Sequence, residues 1–229
     1  MVKCNSCYKR TYLKGGFFLK KLQKICALLL VTLVTVIPLT SCSAPKSTPE
    51  ETTKVVLDIL LKDDKSNISK IGLTDKYYKE IRDDVETGID KGFEQGLATG
   101  GVDKSVLTDD IKKELKKDIL TGLAKVQYDV TKASEDKKSA KVQIKVKAFD
   151  MNKIVETAKP KLLEKVKANK SMTQKEMYQE SLKLVGEGMA NGTLVDTPKT
   201  YDLNLTKESN VWVPNSEDLT KLALGLYSN

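Results

Sequence analysis

The side chains that most often carry out catalysis are absent from this sequence or have no suitable neighbours. It contains no histidine, which excludes catalytic triads, proton relays and metal sites built on imidazole. A serine nucleophile would need a lysine as its base, and both residues are so common that no pair stands out. The carboxylate pairs Asp83–Asp84 and Asp109–Asp110 are candidates for a glycosidase-type acid and base, but they lie in lysine-rich helical segments that favour solvated faces. We therefore predict no catalytic residue, no cofactor and no enzymatic activity.

Two short motifs resemble metal sites only superficially. The segment 63–67 begins with two acids, but it lacks the alternating ligands, the glycine and the closing glutamate of a calcium loop. Cys4 and Cys7 have the spacing of half a zinc site, and no second half accompanies them in the N-terminal segment. We predict no metal site.

The remaining reactive group is the thiol of Cys42, and the segment before it indicates its role. Residues 1–41 contain seven lysines and arginines and no acid, so the formal charge of +8 falls to +1 for residues 42–229. Within this leader, Ile25–Leu39 is an uncharged, mostly apolar run of 15 residues. A membrane-spanning helix needs roughly 20 apolar residues, so the run is typical of a signal peptide. The near-neutral remainder argues against nucleic-acid binding.

The segment Leu39-Thr40-Ser41-Cys42 resembles the lipobox of bacterial lipoproteins. That resemblance implies signal-peptidase cleavage between Ser41 and Cys42 and lipidation of the Cys42 thiol. The alternatives are a chance cysteine after an ordinary signal peptide and an uncleaved anchor. We favour the lipoprotein because the motif directly follows a charged and then apolar leader.

Lipidation of Cys42 would determine where the protein acts. Two acyl chains give stable anchoring, and residues 43–48 reach roughly 20 Å when extended, so the folded part would lie close to the bilayer. The predicted organisation is a lipoprotein signal peptide at 1–41, a lipidated tether at 42–48 and a single α+β domain at 49–229. Its predicted location is the cell membrane, on the extracytoplasmic face. The other three cysteines lie in the leader, so the mature chain has no internal disulfide.

Helices are predicted where apolar residues recur at helical spacing behind a capping residue. Thr48 with Glu51, and Thr173 with Glu176, are capping boxes. Other starts are predicted at single residues: Thr74 or Asp75, Thr108, and Ser216. A further helix spans the apolar positions 154–166.

Proline and glycine are expected to interrupt two of these helices. Pro160 should kink or split the helix that contains it. Gly186, Gly188 and Gly192 are expected to end the helix that begins after Thr173.

Two hairpins are predicted where apolar and polar residues alternate, with strands near 124–132, 139–149, 199–206 and 210–213. Alternation indicates one buried and one wet face. The fold class is therefore α+β: an antiparallel sheet built from two hairpins with helices packed over one face, preceded by an N-terminal signal-peptide helix.

Four glycines recur every fourth residue in the second predicted helix: Gly88, Gly92, Gly96 and Gly100. Each glycine costs about 1 kcal/mol of helix stability relative to alanine. The presence of four of them on one side of the helix, which we call the glycine ridge, therefore requires an explanation. Close packing inside the protein is the interpretation we favour. A smooth surface for a partner helix and a broken helix are the alternatives.

Two unique residues are candidates for contact with a ligand. Arg82 is the only arginine after residue 42, and it suits either a carboxylate clamp or, as we favour, a surface ion pair such as one with Glu86. Trp212 is the only tryptophan, and it lies between Val211 and Val213 in a predicted strand. It faces either a cavity or, as we favour, the core with both valines outward.

Several of these features together resemble a known group of proteins. They are the lipobox, the capped helix that ends at 60–64, the strand Val211–Pro214 and the closing helix. The group comprises uncharacterised lipoproteins of Firmicutes that carry a domain of unknown function (the family numbered 5105), loosely similar to nuclear-transport-factor-2-like or cystatin-like rolls. The resemblance spans most of the mature chain and implies no catalytic residue.

We predict a membrane-anchored envelope lipoprotein that acts as a non-catalytic binding or interaction module. Its partners are the membrane, through the lipid at Cys42, and an envelope protein or a small ligand. The alternatives are a carboxylate-dependent cell-envelope enzyme and the solute-binding component of an importer. On the concave face of the sheet, a deep pocket with convergent carboxylates would favour the enzyme, and a dry, shallow or apolar face would favour binding.

Cys42→Ala should abolish incorporation of a radiolabelled lipid precursor, because alanine has no nucleophile to accept the diacylglyceryl group. Cells that express either form are labelled, and the immunoprecipitated protein is counted. A wild-type protein that takes up no lipid would show that the motif is not used.

Overall fold

A computed structural model describes residues 47–227 of the chain. The predicted signal peptide, the cleavage site at Ser41 and the lipidation site at Cys42 lie outside the described residues.

Six α-helices occupy most of the described chain. They are α1 (Pro49–Lys62), α2 (Asp75–Gly100), α3 (Asp109–Leu123), α4 (Met151–Ala168), α5 (Gln174–Ala190) and α6 (Ser216–Gly225). Two short 3₁₀ helices, Ile68–Ile71 and Lys104–Val106, flank α2.

Side-chain caps fix where these helices begin. Both predicted capping boxes are confirmed, at Thr48 before α1 and at Thr173 before α5. The predicted cap at Ser216 is wrong by one residue, because the side chain of Asn215 accepts the Asp218 N–H at 3.1 Å. Asparagine and serine cap about equally well, so sequence alone does not separate them. Pro160 lies inside α4, which continues through it to Ala168.

Four antiparallel strands form one sheet in sequential order: β1 (Gln127–Glu135), β2 (Ser139–Lys147), β3 (Lys199–Glu208) and β4 (Val211–Pro214). The predicted α+β fold with two hairpins is therefore confirmed. The first strand begins three residues later than predicted, because the backbone turns at 124–126 with hydrogen bonds back to the end of α3.

The sheet has one apolar and one polar face. Across the first two strand pairs, Val130 is opposite Ile144 and Val142 is opposite Leu203, so apolar residues share a face. Val142, Ile144 and Leu203 are each at most 1% exposed. On the opposite face, Gln143 and Lys141 contact Asp202 at 3.3 and 3.5 Å. The helices therefore have one face of the sheet to cover.

Helices α3 and α5 approach each other through glycine. A Cβ added to Gly122 would lie 2.5 Å from the Met189 carbonyl oxygen, and one added to Gly186 would lie 2.9 Å from the Leu115 side chain. The expectation that Gly186 and Gly188 end α5 is wrong, because both lie inside it and permit close packing. Gly192, with φ +73°, does follow the end of that helix.

The glycine ridge lies on a continuous helix. Gly88, Gly92, Gly96 and Gly100 are all buried in α2, as internal packing requires, and α2 is not broken. Beside the glycine ridge, ion pairs join α2 to α3. The Lys116 ammonium of α3 lies 2.7 Å from Asp90 and 3.9 Å from Glu86 of α2. The predicted pair between Arg82 and Glu86 is therefore wrong.

Gly122→Ala should lower the free energy of unfolding by about 2 kcal/mol, because the new methyl group meets backbone that cannot rotate away. Gly188→Ala is the matched control, since its methyl group would lie 2.7 Å from the Ile154 side chain, which can move. Alanine gains the same helix propensity at both sites. Urea unfolding measures both variants, and equal losses would contradict a backbone contact at Gly122.

Candidate functional site

A cavity of about 40 Å³ lies between α1, α6 and the apolar face of the sheet. Ten of its eleven lining residues are aliphatic, and the other is Tyr128. The lining consists of Leu57, Leu60, Leu61, Leu123, Tyr128, Ile144, Val146, Leu219, Leu222, Ala223 and Leu226.

Helical and strand periodicity bring these residues together. Leu57, Leu60 and Leu61 recur at i, i+3 and i+4 on α1. On α6, Leu219 and Leu222 recur at i and i+3. Just beyond α6, the Leu226 carbonyl accepts a hydrogen bond from the Phe149 N–H at 2.9 Å. Both helices therefore point leucines at the same part of the sheet, and the cavity is the space that these leucines leave between them.

A small polar cluster borders the cavity at Tyr128. The Tyr128 hydroxyl donates a hydrogen bond to Asp58 on α1. Asp58 also pairs with Lys62 at 3.0 Å, and the Lys62 ammonium lies 4.6 Å from the centre of the Tyr128 ring. Burial, together with the hydrogen bond to Asp58, raises the pKa of Tyr128 well above its ordinary value. The hydroxyl therefore stays neutral and remains a donor to Asp58.

This arrangement suits binding of an apolar group better than acid–base chemistry. The carboxylate of Asp58 accepts a hydrogen bond from the lining residue Tyr128, and it already has two partners. Of the carboxylates considered for catalysis, Asp83, Asp109 and Asp110 are exposed and Asp84 is half-buried, and none of the four lines the cavity. A space of about 40 Å³ with an aliphatic lining suits a small alkyl group, such as the end of an alkyl chain.

Arg82 lies where α1 ends. Its guanidinium contacts Asp63 at 2.8 Å and donates to the carbonyls of Ile59 and Leu60 at 2.9 and 3.3 Å. Its side chain is 11% exposed. Arg82 thus satisfies carbonyls that the helix end leaves open, while Asp63 adopts the left-handed conformation there. A contact between Arg82 and a ligand stays a prediction.

Trp212 is 3% exposed and belongs to the main core, which confirms the preferred interpretation of its position. The Lys207 ammonium lies 5.3 Å from the centre of its ring. The expectation that both neighbouring valines face outward is wrong for Val211, which is 2% exposed. Trp212 does not line the cavity, and a contact between it and a ligand stays a prediction.

Sequence analysis missed Asp58 and Tyr128 as a pair. Asp58 is the only acid in the apolar run 55–61, which is a signal that a carboxylate has a specific partner. Its partner is 70 residues away in sequence, and no local pattern predicts that contact.

Between residues 47 and 227, no group of three or more His, Cys, Asp or Glu side chains is arranged to hold a metal ion. In the same range, no helix combines the length and the apolar character needed to cross a bilayer.

Comparisons with known proteins identify relatives of the chain. A family model described as a domain of unknown function, DUF5105, matches residues 39–226. The structure is similar to the crystal structure of a predicted lipoprotein, ycdA, from Bacillus subtilis, with a TM-score of 0.63 and 20% identity. The match covers 76% of this chain and 54% of that one, so it spans about half of the Bacillus protein and shows a shared fold. No curated protein gave a match.

Tyr128→Phe should lower the free energy of unfolding at pH 7 by about 1–2 kcal/mol, because Asp58 loses a donor. The raised pKa of Tyr128 contributes stability that is complete below about pH 10 and falls as the pH rises further, by about 1.4 kcal/mol per unit. The wild type should therefore lose its advantage over the variant above pH 10. Urea unfolding from pH 7 to 11.5 measures the difference, and a constant difference would contradict the buried hydroxyl.

Proposed function

Because the chain belongs to the DUF5105 family, whose function is unknown, we propose its role from its own geometry. We infer that it is a lipid-anchored, non-catalytic binding protein on the outer face of the cell membrane. Its ligand carries a small apolar group, which enters the cavity between α1 and α6.

The observation that carries this proposal is the aliphatic lining of the cavity. Water gains few partners in such a space, whereas an alkyl group gains dispersion contacts with leucines on two helices and with Ile144 and Val146 of the sheet. Tyr128 and Asp58 supply one polar contact point at the border. A binding site of this composition needs no catalytic group.

The short connection to Cys42 supports the anchored location. The described chain starts at Ser47, whose hydroxyl lies 3.1 Å from that of Thr52, and α1 begins at Pro49. Only residues 43–48 separate the predicted lipid from a folded helix, a reach of roughly 20 Å. The cavity would then open close to a source of apolar ligands.

Ala223→Leu should fill the cavity and weaken binding of 1-hexanol by about tenfold or more, since the added carbons take the ligand's place. It should also raise stability by about 1 kcal/mol, the value expected for removing about 40 Å³ of empty space. Titration of methyl-labelled protein by NMR measures binding, and urea unfolding measures stability.

Ala168→Leu is the matched control, because Ala168 is exposed at the end of α4. We expect hexanol binding to be unchanged in this variant. If Ala223→Leu binds hexanol as tightly as the wild type does, the cavity is not the ligand site.

A further inference from the structure

Helix α4, the loop after it and the first turn of α5 carry a high positive charge, as does the segment 137–147, which has five lysines and no acid. Residues 151–175 contain seven lysines and two acids, a net charge of +5. Residues 42–229 together carry +1, so the remainder of that region carries −4. The lysines are Lys153, Lys159, Lys161, Lys165, Lys167, Lys170 and Lys175.

These lysines are open to solvent, and within residues 47–227 Lys165 alone of the seven has a carboxylate within 4 Å. All seven are exposed. The partner of Lys165 is Glu180 on α5. By contrast, Lys112 and Lys116 of α3 are both paired with acids of α2. We call the other six lysines the lysine face.

The position of α4 leaves this face uncovered. Past its first turns, α4 packs on α5 through a small apolar cluster of Ala158, Leu162 and Leu184, which is separate from the main core. Its other side faces solvent along 18 residues, about 27 Å of helix. Glu156 and Glu164 are exposed on the same helix and reduce the charge without cancelling it.

We propose that the lysine face binds the anionic surface of a lipid bilayer. Lysine ammonium groups are point charges on flexible stems, and the face has no arginine, which suits a diffuse layer of phosphates better than one fixed phosphate. Clusters of four to eight basic residues are attracted to anionic lipids in this way. Attraction reaches only about 8 Å at physiological salt, so the face must be held near the bilayer.

This proposal goes beyond the ligand cavity and uses the lipid anchor only to deliver the protein to the surface. One anchor fixes the distance of the protein from the bilayer, and the lysine face would then fix its orientation. A patch of lysines also adds to the binding that acyl chains provide.

The test compares amine labelling in two kinds of vesicle. Protein purified from its membranes is reconstituted into vesicles of phosphatidylcholine alone or with phosphatidylglycerol, treated briefly with an amine-reactive reagent and analysed by peptide mass spectrometry. We expect the lysine face to react about threefold or more slowly in the phosphatidylglycerol vesicles, and high salt to remove the difference. Lys79, Lys91 and Lys113, which are exposed on the acid-rich helices α2 and α3, should react equally in both.

A charge-reversal variant tests whether the lysines themselves cause the protection. Lys161→Glu, Lys167→Glu and Lys170→Glu together should abolish protection of Lys153, Lys159 and Lys175. The same change at Lys79, Lys91 and Lys113 is the matched control and should leave that protection intact.

Three outcomes would overturn the proposal. The first is equal labelling of the lysine face in both kinds of vesicle, and the second is equal protection of the control lysines. The third is protection by soluble polyphosphate where phosphatidylglycerol gives none. That third outcome would assign the lysine face to a phosphate polymer. Incorporation into phosphatidylcholine vesicles reports the anchor by itself, so failure of the anchor is distinguished from failure of the lysine face.

Discussion

The sheet has a single apolar face, and the need to cover that face organises the rest of the structure. Val142, Ile144 and Leu203 lie on it in register and are almost completely buried. Covering them requires helices with leucine stripes, which α1 and α6 provide near the paired strands β1 and β2. Leucines from two helices do not fill the space over a twisted sheet completely. The cavity is thus a product of the same packing that holds the fold together.

Much of this fold could be predicted from the sequence because its signals are local. Alternation in Ala140–Ala148 predicted β2, and Thr48 and Thr173 predicted two helix starts from residues three positions apart. Dependence on local sequence signals also explains the wrong prediction at Gly186 and Gly188. Glycine ends helices and also permits close approach, and only the position of Leu115 and Ile154 opposite them decides between these roles.

The site could not be predicted in the same way, because it depends on contacts between distant segments. Arg82 is distinctive in the sequence, but its three partners, Ile59, Leu60 and Asp63, belong to the preceding helix. The hydrogen bond between Asp58 and Tyr128 joins the first helix to the first strand. The excess of lysine on α4, unlike these contacts, is visible in the sequence. The exposure of those lysines to solvent is known only from the structure.

The close contact between α3 and α5 has a consequence for how the chain folds as it is synthesised. Gly122 and Met189 can touch only after two strands, the whole of α4 and most of α5 have followed α3 in the growing chain. Until then the apolar stripe of Ile111, Leu115 and Ile119 lacks the cover that α5 supplies. Contacts between such distant segments form late and leave apolar surface exposed meanwhile. A chain that emerges from its N-terminus onward therefore needs either rapid completion or a chaperone during that interval.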